Sequence, residues 1–273
     1  MSLDPAEIAT WQDWVGRTES NDEIIDVGSL RRFAAAIGDD LADGRRLPWL
    51  SHWASFLPVF AQGELGSDGH PARGGLLPPI SLPRRMFAAA EIDFYSPLVS
   101  GELARRSSRI VSVTHKSGRT GDLVLVDVEH RISQSGSERL TERQTLVYRD
   151  VGDPTPAVIA VVLPDDSAAE LWEPTSIDLF RFSAATFNSH RIHYDLPYAS
   201  DVEGYPGLVV HGPFTASRLF GLLTRDRAPP RRFCFRALAP LFAGQPIRLV
   251  RTATGASAIR VDGVTAMNAT AEF

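Results

Sequence analysis

Three of the chain's seven histidines, His190, His193 and His211, fall within 22 residues of one another, in the runs NSHRIHYD (188–195) and VVHGP (209–213). A neutral imidazole can take a proton from water near neutral pH. Asn188 lies five residues before His193, a spacing that irregular or single-turn chain can close on one point. Its amide can hold a water but cannot serve as base. After His211 come Gly212 and Pro213, and the segment around them carries an apolar stripe at Val210, Phe214, Leu219, Leu222 and Leu223. That stripe predicts a helix starting near Gly212–Pro213. Glycine permits close backbone approach, and the free N–H groups of a helix start stabilise a developing oxyanion. Together these residues offer a base, a water holder and an oxyanion donor. The plainer alternatives are a solvated loop capped by Asn188 and ordinary helix capping at His211–Pro213.

Other chemistries fit less well. His190, His193 and His211, or two of them with Asp195, could gather round a metal, but HRIH lacks the HExxH spacing, and no metal is expected. His115 and His130 fall in or beside predicted strands and read as ordinary positions, and His70 sits unassigned in a Gly/Pro-rich stretch. The single cysteine, Cys234, cannot close an intrachain disulfide or supply a zinc or iron–sulfur site. The single lysine, Lys116, stands in the turn-like HKSGRTG against 27 arginines. This argues against Schiff-base chemistry and excludes the phosphate-loop signature. The net charge of −5 argues against nucleic-acid binding. Arg-Arg pairs at 31, 45, 84, 105 and 231 read as solvated positions. No signal peptide or membrane span is evident, so a cytoplasmic protein is expected.

Helices are predicted over 4–16, capped by Asp4, and from Ser29 to Ile37, with Ser29 as cap and Gly38 after the end. A further helical segment is predicted from Trp49 to Phe60, interrupted by Pro58. The following AQGELGSDGHPARGGLLPPISLP reads as a long functional or lid-like loop. From Met86, four runs rich in β-branched residues and bounded by turn signals predict an antiparallel meander. VGDPTPAV reads as a linker. SIDLFRFSAATF reads as strand-like, and three strand-like runs follow the Gly212 helix. The chain also echoes itself. Pro97-Leu-Val-Ser-Gly-Glu matches Pro240-Leu-Phe-Ala-Gly-Gln in pattern, each after an Arg-Arg and an extended run. This favours a duplicated α+β unit, divided at 1–152 and 153–273. Only the second copy carries the histidine cluster. The first is expected to be non-catalytic and substrate-shaping.

The run FNSHRIH with VVHG resembles the signature of the MaoC-like hydratases and dehydratases. His193 falls on that family's catalytic histidine. Asn188 stands where the family has an aspartate, His190 where it has asparagine and Arg191 where it has proline. FSAATFNSHRIHYD with YPGLVVHGP resembles a narrower group, the 3-methylfumaryl-CoA (mesaconyl-CoA) hydratases and type 2 hydroxyacyl-thioester dehydratases. HWASFLPVFAQGELGSDGHPARGG and LPRRMFAAAEIDF in the first half are also similar to that group. The resemblance implies a double hot-dog fold, two antiparallel sheets each wrapped around a central helix. It implies reversible hydration of an acyl-CoA thioester, with CoA as part of the substrate and no other cofactor. His193 is then the base and Asn188 the water holder. Gly212, His211, Arg191, Tyr194 and Arg84 form the substrate-binding set, with Asp195 able to orient the imidazole. The expected substrate is 3-methylfumaryl-CoA, hydrated to citramalyl-CoA by a homodimer. The alternatives are a 3-hydroxyacyl-thioester dehydratase of fatty-acid synthesis and a catalytically silent acyl-CoA-binding protein.

Overall fold

The structure, a computed structural model, describes residues 3–39, 49–118, 121–163, 169–225 and 227–273. Arg45 of the second arginine pair and the 119–120 tip of the HKSGRTG turn lie outside them. Among the described residues ten strands make one antiparallel sheet. They are β1 (Thr18–Ile24), β2 (Arg84–Phe94), β3 (Leu103–Gly118), β4 (Gly121–Gln134), β5 (Ser137–Arg149), β6 (Glu170–Trp172), β7 (Arg232–Ala237), β8 (Ile247–Arg251), β9 (Ala256–Ile259) and β10 (Thr265–Glu272). Their spatial order is β1-β3-β4-β5-β2-β7-β10-β9-β8-β6. The second five strands repeat the first five in mirrored order. Two copies of one hot-dog unit are thus joined edge to edge, Ala89 of β2 facing Arg236 of β7 and Asp93 facing Arg232. The two expected sheets are continuous across this seam.

β3, β4 and β5 form the expected meander, but β2 lies on the far side of β5. Chain order alone cannot reveal this, because both edges of β2 are used, one by β5 and one by β7. The short edge strands β1 and β6 had no sequence prediction. β1 is polar (TESNDEI) and β6 has three residues, so neither shows a period of two.

Helix α1 (Pro5–Trp11) is capped by the Asp4 carboxylate, which accepts from Ala6 N–H. Helix α2 (Val27–Ile37) starts two residues earlier than predicted. Its cap is Asp26, which accepts from both the N–H and the hydroxyl of Ser29. Gly38 ends it in the left-handed conformation. SIDLFRFSAATF is not a strand but helix α3 (Ser176–Thr186), opened by a reciprocal Thr175–Asp178 capping box. Its buried residues Leu179, Phe182, Ser183 and Ala185 follow a helical spacing that its aromatic, β-like composition obscures. Helix α4 (Gly212–Thr224) appears where the stripe places it, and Phe214, Leu219, Leu222 and Leu223 are all buried. The segment from Trp49 to Phe60 forms only a single 3-10 turn, Ser51–Ala54, followed by irregular chain that bends at Phe56, a left-handed residue.

α2 follows β1 as α3 follows β6, and the two helices pack together through Phe33 and Phe182, their centroids 6.0 Å apart. Phe182 stacks on Phe214 of α4 at 4.9 Å. One apolar core therefore spans both halves. A second cluster, with Trp11, Ile80, Leu82 and Tyr148, closes the outer end of the first half. The end of α3 and the start of α4 are held against each other by this packing, and the histidine cluster lies between them.

Candidate active site

α3 ends at Phe187, a left-handed residue, and the chain turns sharply into Asn188. The Asn188 side-chain oxygen accepts from the His190 backbone N–H at 3.0 Å. A 3-10 turn, Arg191–His193, then buries the His193 ring. Its Nδ1 lies 2.7 Å from the Val209 carbonyl. A carbonyl can only accept, so Nδ1 carries the hydrogen and Nε2 the lone pair. Val209 N–H in turn donates to the Ile192 carbonyl, which ties the turn to the strand-like approach of α4. Asp195 plays no part in orienting the ring, because its carboxylate is bound to the Arg191 guanidinium at 2.8 and 3.0 Å.

The His193 ring stacks on His211 with centroids 3.6 Å apart. His211 is the N-cap residue of α4, and its Nε2 shares a 2.8 Å hydrogen bond with Ser183 of α3. Burial pushes the His193 imidazole well below its ordinary range, and the neighbouring His211 and His190 add to this. Burial and His190 push His211 down to about 3. Both rings are neutral at physiological pH, as a base requires. Gly212, next in sequence, begins α4, so its N–H has no partner within the helix. A Cβ at Gly212 would lie 3.3 Å from the Phe87 carbonyl of β2, where the helix start crosses the first half of the sheet.

The loop that precedes β2 in the first half reaches this site. Gly69, at positive φ, packs so closely on Ser189 that a Cβ there would lie 1.9 Å from the Ser189 carbonyl oxygen. The Ser189 hydroxyl donates to the Gly69 carbonyl. The Arg191 backbone N–H donates to Asp68 O at 2.9 Å, and its guanidinium to Ser67 O at 3.0 Å. His70 thereby lies 4.0 Å from the His190 ring, and His190 is 5.5 Å from His193. Asp68 holds His70 through its backbone N–H and through Nδ1, at 3.0 Å. Burial lowers His70 to about 3 despite Asp68. Burial alone would raise Asp68, but the His70 hydrogen bond and charge hold it low. Donor atoms of Asp68, His70 and His190 lie within 4.8 Å of one another, close enough to share a cation.

The structure stacks His193 on His211, next to Gly212, with Asn188 bonded to the His190 N–H just ahead of the turn that carries His193, and places the other expected substrate-binding residues differently. Arg84 is buried; it donates to the Glu203 carbonyl, lies 3.5 Å from the Glu203 carboxylate and stacks over Tyr205. Arg191 is engaged by Asp195 and lies over Tyr198. Tyr194 is exposed, its hydroxyl donating to Ser189 O. Sequence reasoning missed Asp68, His70, Ser183 and the buried Glu203, whose carboxylate lies 3.4 Å from His190 Nε2. The one available signal was the Gly/Pro density around Asp68 and His70.

A double hot-dog sheet with a neutral buried histidine beside a helix start defines a hydratase/dehydratase of the MaoC-like kind. The chain belongs to the hydroxyacyl-thioester dehydratase type 2 family, which matches residues 50–243. It is therefore an enzyme of the hydro-lyase class acting on acyl thioesters. It is 46% identical to the mesaconyl-C(4)-CoA hydratase of Chloroflexus aurantiacus, over 97% of this chain and 98% of that one. A solved MaoC-like dehydratase shares the fold, with TM-score 0.71 and 15% identity over 96% of this chain and 98% of that one. A Mycobacterium tuberculosis protein described as having a double hotdog fold matches with TM-score 0.53 and 12% identity, over 95% and 96% of the two chains.

Proposed function

We propose that the protein adds water reversibly to 3-methylfumaryl-CoA, giving citramalyl-CoA. The observation that carries this reading is the Nδ1–Val209 hydrogen bond. It makes Nε2 of a buried, neutral His193 the proton acceptor, its ring stacked on His211, the residue that precedes the free N–H groups at the start of α4. The water oxygen bonds to the β-carbon and gives a proton to Nε2. The C=C electron pair shifts toward the thioester oxygen, which the Gly212 N–H stabilises. His193 then returns the proton to the α-carbon. Asn188 uses its side-chain oxygen on His190, which leaves its NH2 group to hold the water. This route uses CoA only as part of the substrate and needs no resident metal or redox cofactor.

The second carboxylate of such a substrate calls for an arginine. Arg84 and Arg191 are held by carboxylates of the protein. Arg85, next on β2 and opposite Tyr148 of β5 in the sheet register, is the arginine assigned to this task. A cytoplasmic homodimer with a small-molecule substrate and no nucleic-acid or membrane partner completes the reading. Exposed Ile24 and Leu171 on the edge strands β1 and β6 support pairing of two copies. Among the described residues no helix is long and apolar enough to cross a membrane.

The family description favours a competing substrate class, a hydroxyacyl thioester, of which a linear 3-hydroxyacyl chain is the alternative to the dicarboxylate. Steady-state hydration of 3-methylfumaryl-CoA should exceed that of a linear trans-2-enoyl-CoA by at least about tenfold in kcat/KM. Faster turnover of the linear substrate would sink the dicarboxylate reading.

A further inference from the structure

The MaoC-like signature pairs its histidine with an aspartate, and this chain has Asn188 there. An amide cannot replace a carboxylate as a strong acceptor, and the Asn188 oxygen is already occupied by the His190 N–H. The first half of the chain brings a different acceptor to the histidine cluster, against His190. Gly69 is packed on Ser189, and three further bonds, from Ser189 and Arg191 to residues 67–69, hold the loop against the catalytic segment. This docking is backbone-deep and specific to the turn that carries His193. It sets His70 against His190, which is also in contact with His193, so the two outer rings flank one shared neighbour.

The Asp68–His70 geometry also defines what His70 presents. A carboxylate accepts, so His70 Nδ1 donates to Asp68, and Nε2 is the ring atom that can accept a hydrogen bond. His193 has the same arrangement, with a backbone carbonyl in place of the carboxylate. The site thus holds two imidazoles of the same tautomer, one from each half of the chain.

We propose that His70, held by Asp68, is a catalytic residue that supplies the acceptor missing at Asn188: its Nε2 takes a hydrogen bond from the attacking water. The inference rests on the hydration reading above. One water hydrogen passes as a proton to His193 Nε2 and ends on the α-carbon. The other stays on oxygen, bonded to His70 Nε2, and becomes the hydrogen of the new hydroxyl. The first half then completes the chemical site rather than only shaping the substrate.

The test is hydration of 3-methylfumaryl-CoA by the full-length wild type, His70→Ala and Asp68→Asn, with and without added imidazole, alongside thermal unfolding. His70→Ala should lose about a hundredfold in kcat with KM little changed, and free imidazole should restore part of it. Asp68→Asn, which keeps the ring but weakens its hold, should lose about tenfold. Wild-type kcat in His70→Ala overturns the inference, as does a loss that imidazole does not relieve. If His70→Ala does not fold, Asp68→Asn decides: wild-type kcat in that variant overturns the inference. Activity that is removed by a chelator and restored by zinc also overturns it, because a cation would then occupy Asp68, His70 and His190. A wild type that hydrates no enoyl thioester defeats the functional reading itself, an outcome distinct from all of these.

Discussion

The two halves begin alike and part company where the chain turns back over the sheet. Each carries a short edge strand followed by an eleven-residue helix, β1 and α2 after α1 in the first half, β6 and α3 in the second. The second half then folds α4 from Gly212 to Thr224 across its strands. Among the described residues, the first half has the turn Ser51–Ala54 there, followed by the loop that runs to β2. Both places bury a histidine, but in opposite electrostatic settings. His52 Nε2 lies 3.3 Å from the Glu142 carboxylate, with both side chains almost fully buried. Trp53 Nε1 also donates to Glu142. Burial would raise Glu142, but the charge and hydrogen bond of His52, with His130 and Trp53, hold it below its usual range. His193 instead faces a neutral carbonyl and other imidazoles. An imidazole nitrogen turned toward a carboxylate is used up by that contact, whereas a ring held through Nδ1 by a carbonyl keeps the Nε2 lone pair for chemistry.

The sharpest way to break this comparison is to truncate both histidines. His193→Ala should lower kcat for 3-methylfumaryl-CoA by about a thousandfold without unfolding the protein. His52→Ala should leave kcat of the folded fraction nearly unchanged but cost about 3 kcal/mol in urea unfolding, because Glu142 loses its buried partner. Turnover that survives His193→Ala would remove it as the base.

Acid titration separates the two settings further. His70, His193 and His211 are neutral in the fold, and in the unfolded chain they titrate near 6.5. Their folded values are depressed, so the unfolded chain binds more protons on acidification. The stability they confer is complete above about pH 6.5 and is lost as pH falls toward about 3, where His70 and His211 titrate in the fold. Each contributes a slope of up to about 1.4 kcal/mol per pH unit over that window. Urea unfolding between pH 7 and 4 should show this slope, reduced in His211→Asn. A slope unchanged by that substitution would show that His211 is not buried neutral.

The smallest expected effect lies at the contact between the halves. Gly212→Ala brings a methyl to within 3.3 Å of the Phe87 carbonyl, so the start of α4 must shift by a few tenths of an ångström. A loss of about tenfold in kcat is expected, with stability nearly unchanged. Full activity would mean that this helix start is not placed against the reacting oxygen.

Much of this was legible in the sequence, for physical reasons that differ by element. The α4 stripe was readable because a helix buried on one side repeats its apolar residues, and β4 because Val124, Val126 and Val128 alternate inward. Asn188, His193 and Gly212 were readable because their types and spacing already limit the chemistry. α3 was misread because aromatic and β-branched residues suit strands, while its capping box is a local signal of only four residues. The position of β2 was hidden because pairing depends on partners far away in the chain.

By itself the sequence determined that the protein is a duplicated α+β chain whose second copy carries an imidazole, an amide and a helix start, since composition, period and spacing are local properties. Only the tertiary structure decided which atoms do what. The Val209 carbonyl selects the His193 tautomer, Asp195 is taken by Arg191, and Arg84 is taken by Glu203. It also decided that Asp68 and His70, more than a hundred residues upstream, belong to the site, because close packing of Gly69 on Ser189 joins two loops that no sequence period relates.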